Sequence, residues 1–170
     1  MTRLWIVCAL LGFSLSAAVA PAVAQTAQAL GQFRDWGAYV SGNGGSKMCF
    51  ILSQPKDMEP KNVQRGDVFF YVTIRPGQGV RSEISIITGY NYRDGSSVTA
   101  EIGSDRFTLF TNQDAAWLDN AAEEERLITA MRAGQTMVIR GTSSRGTDTV
   151  DQYSLFGVSA ALERAGEECQ

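Results

Sequence analysis

The chain has 170 residues, 44% hydrophobic and 19% charged, which is a globular composition and not a disordered one. It contains no histidine, which excludes Ser-His-Asp and Cys-His catalysis and every histidine-containing zinc site. A formal charge of -3 argues against an electrostatic grip on nucleic acid.

Residues 1–24 read as a cleavable signal peptide. Arg3 supplies the positive start, Leu4 to about Ala20 the apolar run, and Ala22-Val23-Ala24 the small-x-small cleavage pattern. Gly12, Ser14, Ser16 and Pro21 interrupt the run short of the roughly 20 apolar residues that a spanning helix needs. Cleavage leaves about 146 residues, the size of one domain, and no transmembrane anchor. It also removes Arg3, so 14 basic residues face 18 acidic ones, a net of -4. Cys8 leaves with the peptide. Cys49 and Cys169 remain, and in an oxidising compartment two cysteines most simply form one disulfide.

Residues 25–32 read as a flexible lead, and 33–170 as a single domain. Period-two alternation then marks eight strands, around Trp36–Val40, Lys47–Leu52, Val68–Ile74, Ile84–Thr88, Val98–Ile102, Phe107–Thr111, Met137–Ile139 and Tyr153–Leu155. Short glycine-bearing turns such as Gly103-Ser104-Asp105 separate them and favour antiparallel pairing. Asn120 with Glu123 predicts a helix N-terminus, Leu127, Ile128 and Met131 its apolar stripe, and Gly134 its end. Trp117 and Leu118 are expected to staple that helix to the sheet. A second helix carries Val158, Ala161, Leu162 and Ala165 on one face, with Gly166 ending it and Cys169 on a tail that folds back. The whole predicts a mainly β protein, an antiparallel β-sandwich of about eight strands with two short helices.

Motifs for chemistry are weak. Ser53-Gln54-Pro55-Lys56 fits S-x-x-K, but it follows a strand and lacks the companion S-D-N and K-T-G. Gly42 to Lys47 enters a strand where a phosphate loop would enter a helix. Asp148 and Asp151 lack a calcium-loop pattern and read as solvated turn carboxylates. Glu101 and Asp105 suggest an acid pair, but nothing in the sequence around them marks a catalytic site. No cofactor and no metal site are expected. Tyr90, Tyr92 and Arg93 stand out as candidate recognition residues, because two tyrosines and an arginine cluster beside a turn. The competing reading makes them strand-end aromatics with half-buried rings.

The order of landmarks resembles a known family. Arg65-Gly66-Asp67-Val68-Phe69-Phe70-Tyr71-Val72, Ala116-Trp117, Met131-Arg132-Ala133-Gly134, Arg145-Gly146-Thr147-Asp148-Thr149, Tyr153-Ser154-Leu155, Ala160-Ala161-Leu162 and Cys169 occur in sequence. From about Trp36 to Cys169 the chain is similar to the invasion-associated locus B proteins of proteobacterial envelopes. That resemblance implies export, a periplasmic place (outer-membrane association and secretion being the alternatives) and a non-enzymatic binding or accessory role. Its partner would be an envelope or host-surface protein. Competing classes are a lipocalin-like carrier, which needs an enclosed cavity, a small hydrolase working without histidine, and a self-assembling structural protein.

Overall fold

A computed structural model describes residues 26–170, so the expected signal peptide of residues 1–24 lies outside the described residues. Among the described residues there are eleven strands, two α-helices and two short 3-10 turns. The strands are β1 (Gln28–Phe33), β2 (Trp36–Ser41), β3 (Met48–Ser53), β4 (Asp57–Glu59), β5 (Phe69–Arg75), β6 (Val80–Ile87), β7 (Ser97–Ile102), β8 (Asp105–Asn112), β9 (Ala115–Trp117), β10 (Thr136–Thr142) and β11 (Asp148–Ser154). Helix α1 spans Ala121–Ala133 and α2 spans Val158–Glu168. All strands join one antiparallel sheet in the order β1-β2-β3-β5-β6-β9-β8-β7-β10-β11-β4.

The class is as the alternation predicts, mainly β and antiparallel, while the strand count rises from eight to eleven. The three additional strands escape period-two reading for physical reasons. Strand β4 and strand β9 have three residues each, too few to show a repeat. Strand β1 corrects the expectation of a flexible lead: it pairs with β2 through a register shift between Ala29 and Gly31, and Leu30 and Phe33 both pack on the core. The irregularity hides the alternation.

The sheet curls so that its two halves meet. Trp36 on β2 donates its indole N–H to the Ser154 carbonyl on β11 at 2.9 Å and packs edge-on against Phe70 of β5. Phe70 meets Tyr153 of β11 at 5.8 Å between ring centroids. Chain continuity completes the curl, because β3 pairs with β2 and β5 while β4, three residues later, pairs with β11. The centre is filled by Trp36, Phe70, Phe107, Leu127, Met131, Met137 and Tyr153, all at most 1% exposed. On the outward face, Tyr39, Phe50 and Tyr71 form a cross-strand run of rings spaced 5.3 and 6.0 Å, the pairings that stabilise neighbouring strands, and Phe69 of the same strand extends it at 5.7 Å from Tyr71.

The helices close the core. Asn120 caps α1 by accepting from the Glu123 backbone N–H at 3.0 Å, as its sequence signature predicts. Gly134 ends α1 in an extended conformation. A Cβ there would lie 2.5 Å from Ile102 Cγ2, so close packing favours glycine at this position. Helix α2 lies across β1, β2 and β3. Gly157 starts it at φ 96°, and a Cβ there would meet the Phe33 carbonyl oxygen at 1.9 Å; both facts call for glycine. The expected stop at Gly166 is corrected. The helix runs to Glu168, and Cys169 follows without a folded-back tail.

Its last turn is held from β3. Cys49 and Cys169 form a disulfide across a separation of 120 residues, with Cα atoms 5.9 Å apart. Lys47 pairs with the Glu168 carboxylate at 3.1 Å, and Arg164 bonds the same group at 2.9 Å. These contacts outweigh the helix cost of Gly166, about 1 kcal/mol relative to alanine. Loop-closure entropy gives the disulfide about 5 kcal/mol as an upper figure. Cys169→Ser should therefore lower the melting temperature by about 10 °C or more and expose α2 to proteolysis first. Two free thiols on titrating the denatured, unreduced domain would contradict the bond.

The Arg164 and Lys47 contacts hold the Glu168 carboxyl below its ordinary value. A lowered carboxylate stabilises above its unfolded pKa, and the gain is lost as pH falls through the folded one. Glu168→Gln should lower the melting temperature at neutral pH, with the difference from wild type closing as the medium turns acid. A difference independent of pH would assign the effect to packing.

Candidate functional site

Three connections meet at one end of the sheet around a cleft of about 530 Å3. Val63, Gln64 and Arg65 precede β5, Gly89, Tyr90 and Asn91 follow β6, and Ser143, Ser144, Arg145 and Thr147 form the β10–β11 turn. Backbone bonds tie these segments together: Gly66 N–H to Gly89 O at 2.9 Å, Ser144 N–H to Asn91 O at 2.8 Å, and Arg93 N–H to Thr142 O at 3.0 Å. Gly89 adopts φ 73° with a virtual Cβ 2.4 Å from the Gly66 carbonyl oxygen, an approach that only glycine makes without displacement.

Beneath the cleft lies a buried ion pair. Arg65 donates to both oxygens of Asp151 at 2.6 and 2.7 Å, and the two side chains are 6% and 2% exposed. Its remaining donors reach the Thr88 carbonyl and hydroxyl. Burial alone would pull the guanidinium pKa down; the Asp151 hydrogen bonds and charge reverse this and leave it raised. Arg65 also sits 5.0 Å from the centre of the Tyr90 ring, a cation–π contact. The Tyr90 hydroxyl shares a 2.5 Å hydrogen bond with Thr149.

The structure separates the three candidate recognition residues. Tyr90 is half-buried and lines the cleft. Tyr92 is 4% exposed, its ring edge-on to Tyr90, and burial pushes its phenol far above the ordinary value. Gly141 on β10 makes room for both rings, since a Cβ there would lie 2.7 Å from the Tyr92 ring. Arg93 is exposed and reaches toward the Gly146 turn. Tyr92 thus supports the site from within, Tyr90 forms part of its wall, and Arg93 faces outward.

Other sequence candidates resolve into structural roles. Asp151 corrects the reading as a solvated turn carboxylate; Asp148 is exposed and accepts from the Thr142 hydroxyl. Glu101 pairs with Arg106 and Arg140, not with Asp105. Ser53 ends β3 and donates to the Asp35 carbonyl, while Lys56 pairs with the Asp35 carboxylate. Among the described residues, no three His, Cys, Asp or Glu side chains converge as metal ligands.

Sequence reasoning missed Arg65 and Asp151 as a pair. One signal was present: Thr149, Asp151 and Tyr153 alternate on the same face of β11, and all three are buried. A carboxylate on a core-facing position demands a cation. Removing one partner strands a buried charge, so Arg65→Met should cost about 3–5 kcal/mol in urea unfolding. Adding Asp151→Leu should recover most of the loss. A single variant as mild as the double would show that the pair is not desolvated.

No helix among the described residues is long and apolar enough to cross a membrane. No curated protein and no solved structure matches this chain. Residues 36–166 match the family model described as invasion associated locus B (IalB) protein, a span that includes ten of the eleven strands, the cleft and the ion pair beneath it. The chain therefore belongs to the invasion-associated locus B family.

Proposed function

We propose that this protein is an exported, non-enzymatic binding or accessory protein of the bacterial envelope, acting in the periplasm, and that the rim of the cleft recognises its protein partner. The observation that carries this reading is the division of labour within the cleft. The polar groups in the floor and wall are committed to one another, Arg65 to Asp151 and the Tyr90 hydroxyl to that of Thr149. The groups left facing outward, Asn91, Ser144, Arg145 and Arg93, are hydrogen-bond donors and acceptors on loops. That is the equipment of recognition, not of proton transfer or nucleophilic attack. The family is not one of known enzymes, which agrees with this assignment. The side chains filling the centre of the domain occupy the space that a lipocalin-like carrier would give to its cargo.

Replacing Arg93 and Arg145 together with alanine should reduce crosslinked capture of the envelope partner at least about tenfold, the scale of a two-residue hot spot. Both side chains are exposed, so the melting temperature should stay within a few degrees. Capture of the same species at unchanged yield would remove the cleft rim from the interface.

A further inference from the structure

A second depression, of about 380 Å3, shares no lining residue with the cleft. Glu83, Phe110, Trp117, Leu118 and Glu124 line it. Its aromatic wall breaks the pattern of its strand. On β8, Phe107 and Leu109 point inward and are buried; the outward positions Arg106, Thr108 and Asn112 are polar, but Phe110 is not. Phe110 is 50% exposed, stands directly across from Trp117 in register, and stacks on it at 5.8 Å with 28° between the rings. Leu118, 6% exposed, completes the apolar lining.

Two carboxylates flank these rings. Glu83 on β6 gives one oxygen to Arg75 at 2.9 Å. Glu124, in the first turn of α1, accepts from the Ile84 backbone N–H through Oε1 at 3.2 Å and has no ion-pair partner among the described residues. Its carboxyl is pushed up, first by burial and further by the Glu83 charge.

We propose that this depression binds an organic cation, an alkylammonium or guanidinium group seated on the Phe110–Trp117 pair and balanced by Glu124. Aromatic faces attract cations through their quadrupole, tryptophan most strongly, and the carboxylates set the same sign. An anion would meet the uncompensated charge of Glu124, since Glu83 is already paired with Arg75. The apolar skirt favours a cation carrying carbon over a hydrated metal ion. The same chemistry is presented by a basic side chain of a partner protein and by a quaternary ammonium headgroup. This proposal stands apart from the reading of the cleft.

Tryptophan fluorescence of the protein supplies the test. Trp36 is fully buried, and Trp117→Phe identifies the responding residue. Choline and arginine amide should each give a saturable change at low ionic strength, and the uncharged carbon isostere of choline should not. Tighter binding of arginine amide would assign the site to a protein side chain, and tighter binding of choline to a headgroup; either supports a cation site. Glu124→Gln keeps an oxygen for the Ile84 N–H while removing the charge, and should weaken binding about three- to tenfold. An equal response to the isostere, no saturable response, or unchanged binding in Glu124→Gln would overturn the proposal.

Discussion

The buried bond between Arg65 and Asp151 organises the end of this molecule that carries the cleft. It joins the segment before β5 to the middle of β11, two elements that lie six places apart in the order of the sheet. Desolvating both charges costs several kcal/mol per ion, so the pair is a weak source of net stability. Its value lies in direction. A bidentate guanidinium–carboxylate contact has one good geometry, and here it fixes Thr88, and the Tyr90 ring stacked beside it, in the same stroke. A hydrophobic contact of similar size would tolerate sliding.

Around that bond the rest of the domain is conventional burial. Edge-to-face contacts link Trp36, Phe70 and Tyr153 across the two halves of the sheet, and both helices seal the remaining apolar surface. The cleft therefore sits on a rigid base while its rim belongs to turns. Loops carried by a packed scaffold are where proteins place recognition groups, because they vary without disturbing the core.

Local periodicity made eight of the eleven strands and both helices legible. Met48, Phe50 and Leu52 alternate with Cys49 and Ile51 whatever the tertiary context, although only the fold shows that the cysteine face is the inner one. Asn120 and Glu123 announce a helix start by a bond confined to four residues. What escaped is non-local, too short to repeat or, in β1, broken by a register shift. Strand β4 exists because β11 offers it an edge, and Asp151 is buried because Arg65, 86 residues earlier, comes to meet it. Tyr92 illustrates the same limit: its residue type suited recognition, but the space opened by Gly141 draws it inward.

The disulfide has a consequence for the order in which the molecule can be assembled. Cys169 follows every strand and helix, whereas Cys49 lies in the third strand. A chain emerging from its N-terminal side can pair β1, β2 and β3 early, yet its covalent ring cannot close until the last helix has arrived. The bond therefore closes only over a β3 and an α2 that have already met, so it records the arrival of the last helix and cannot precede it.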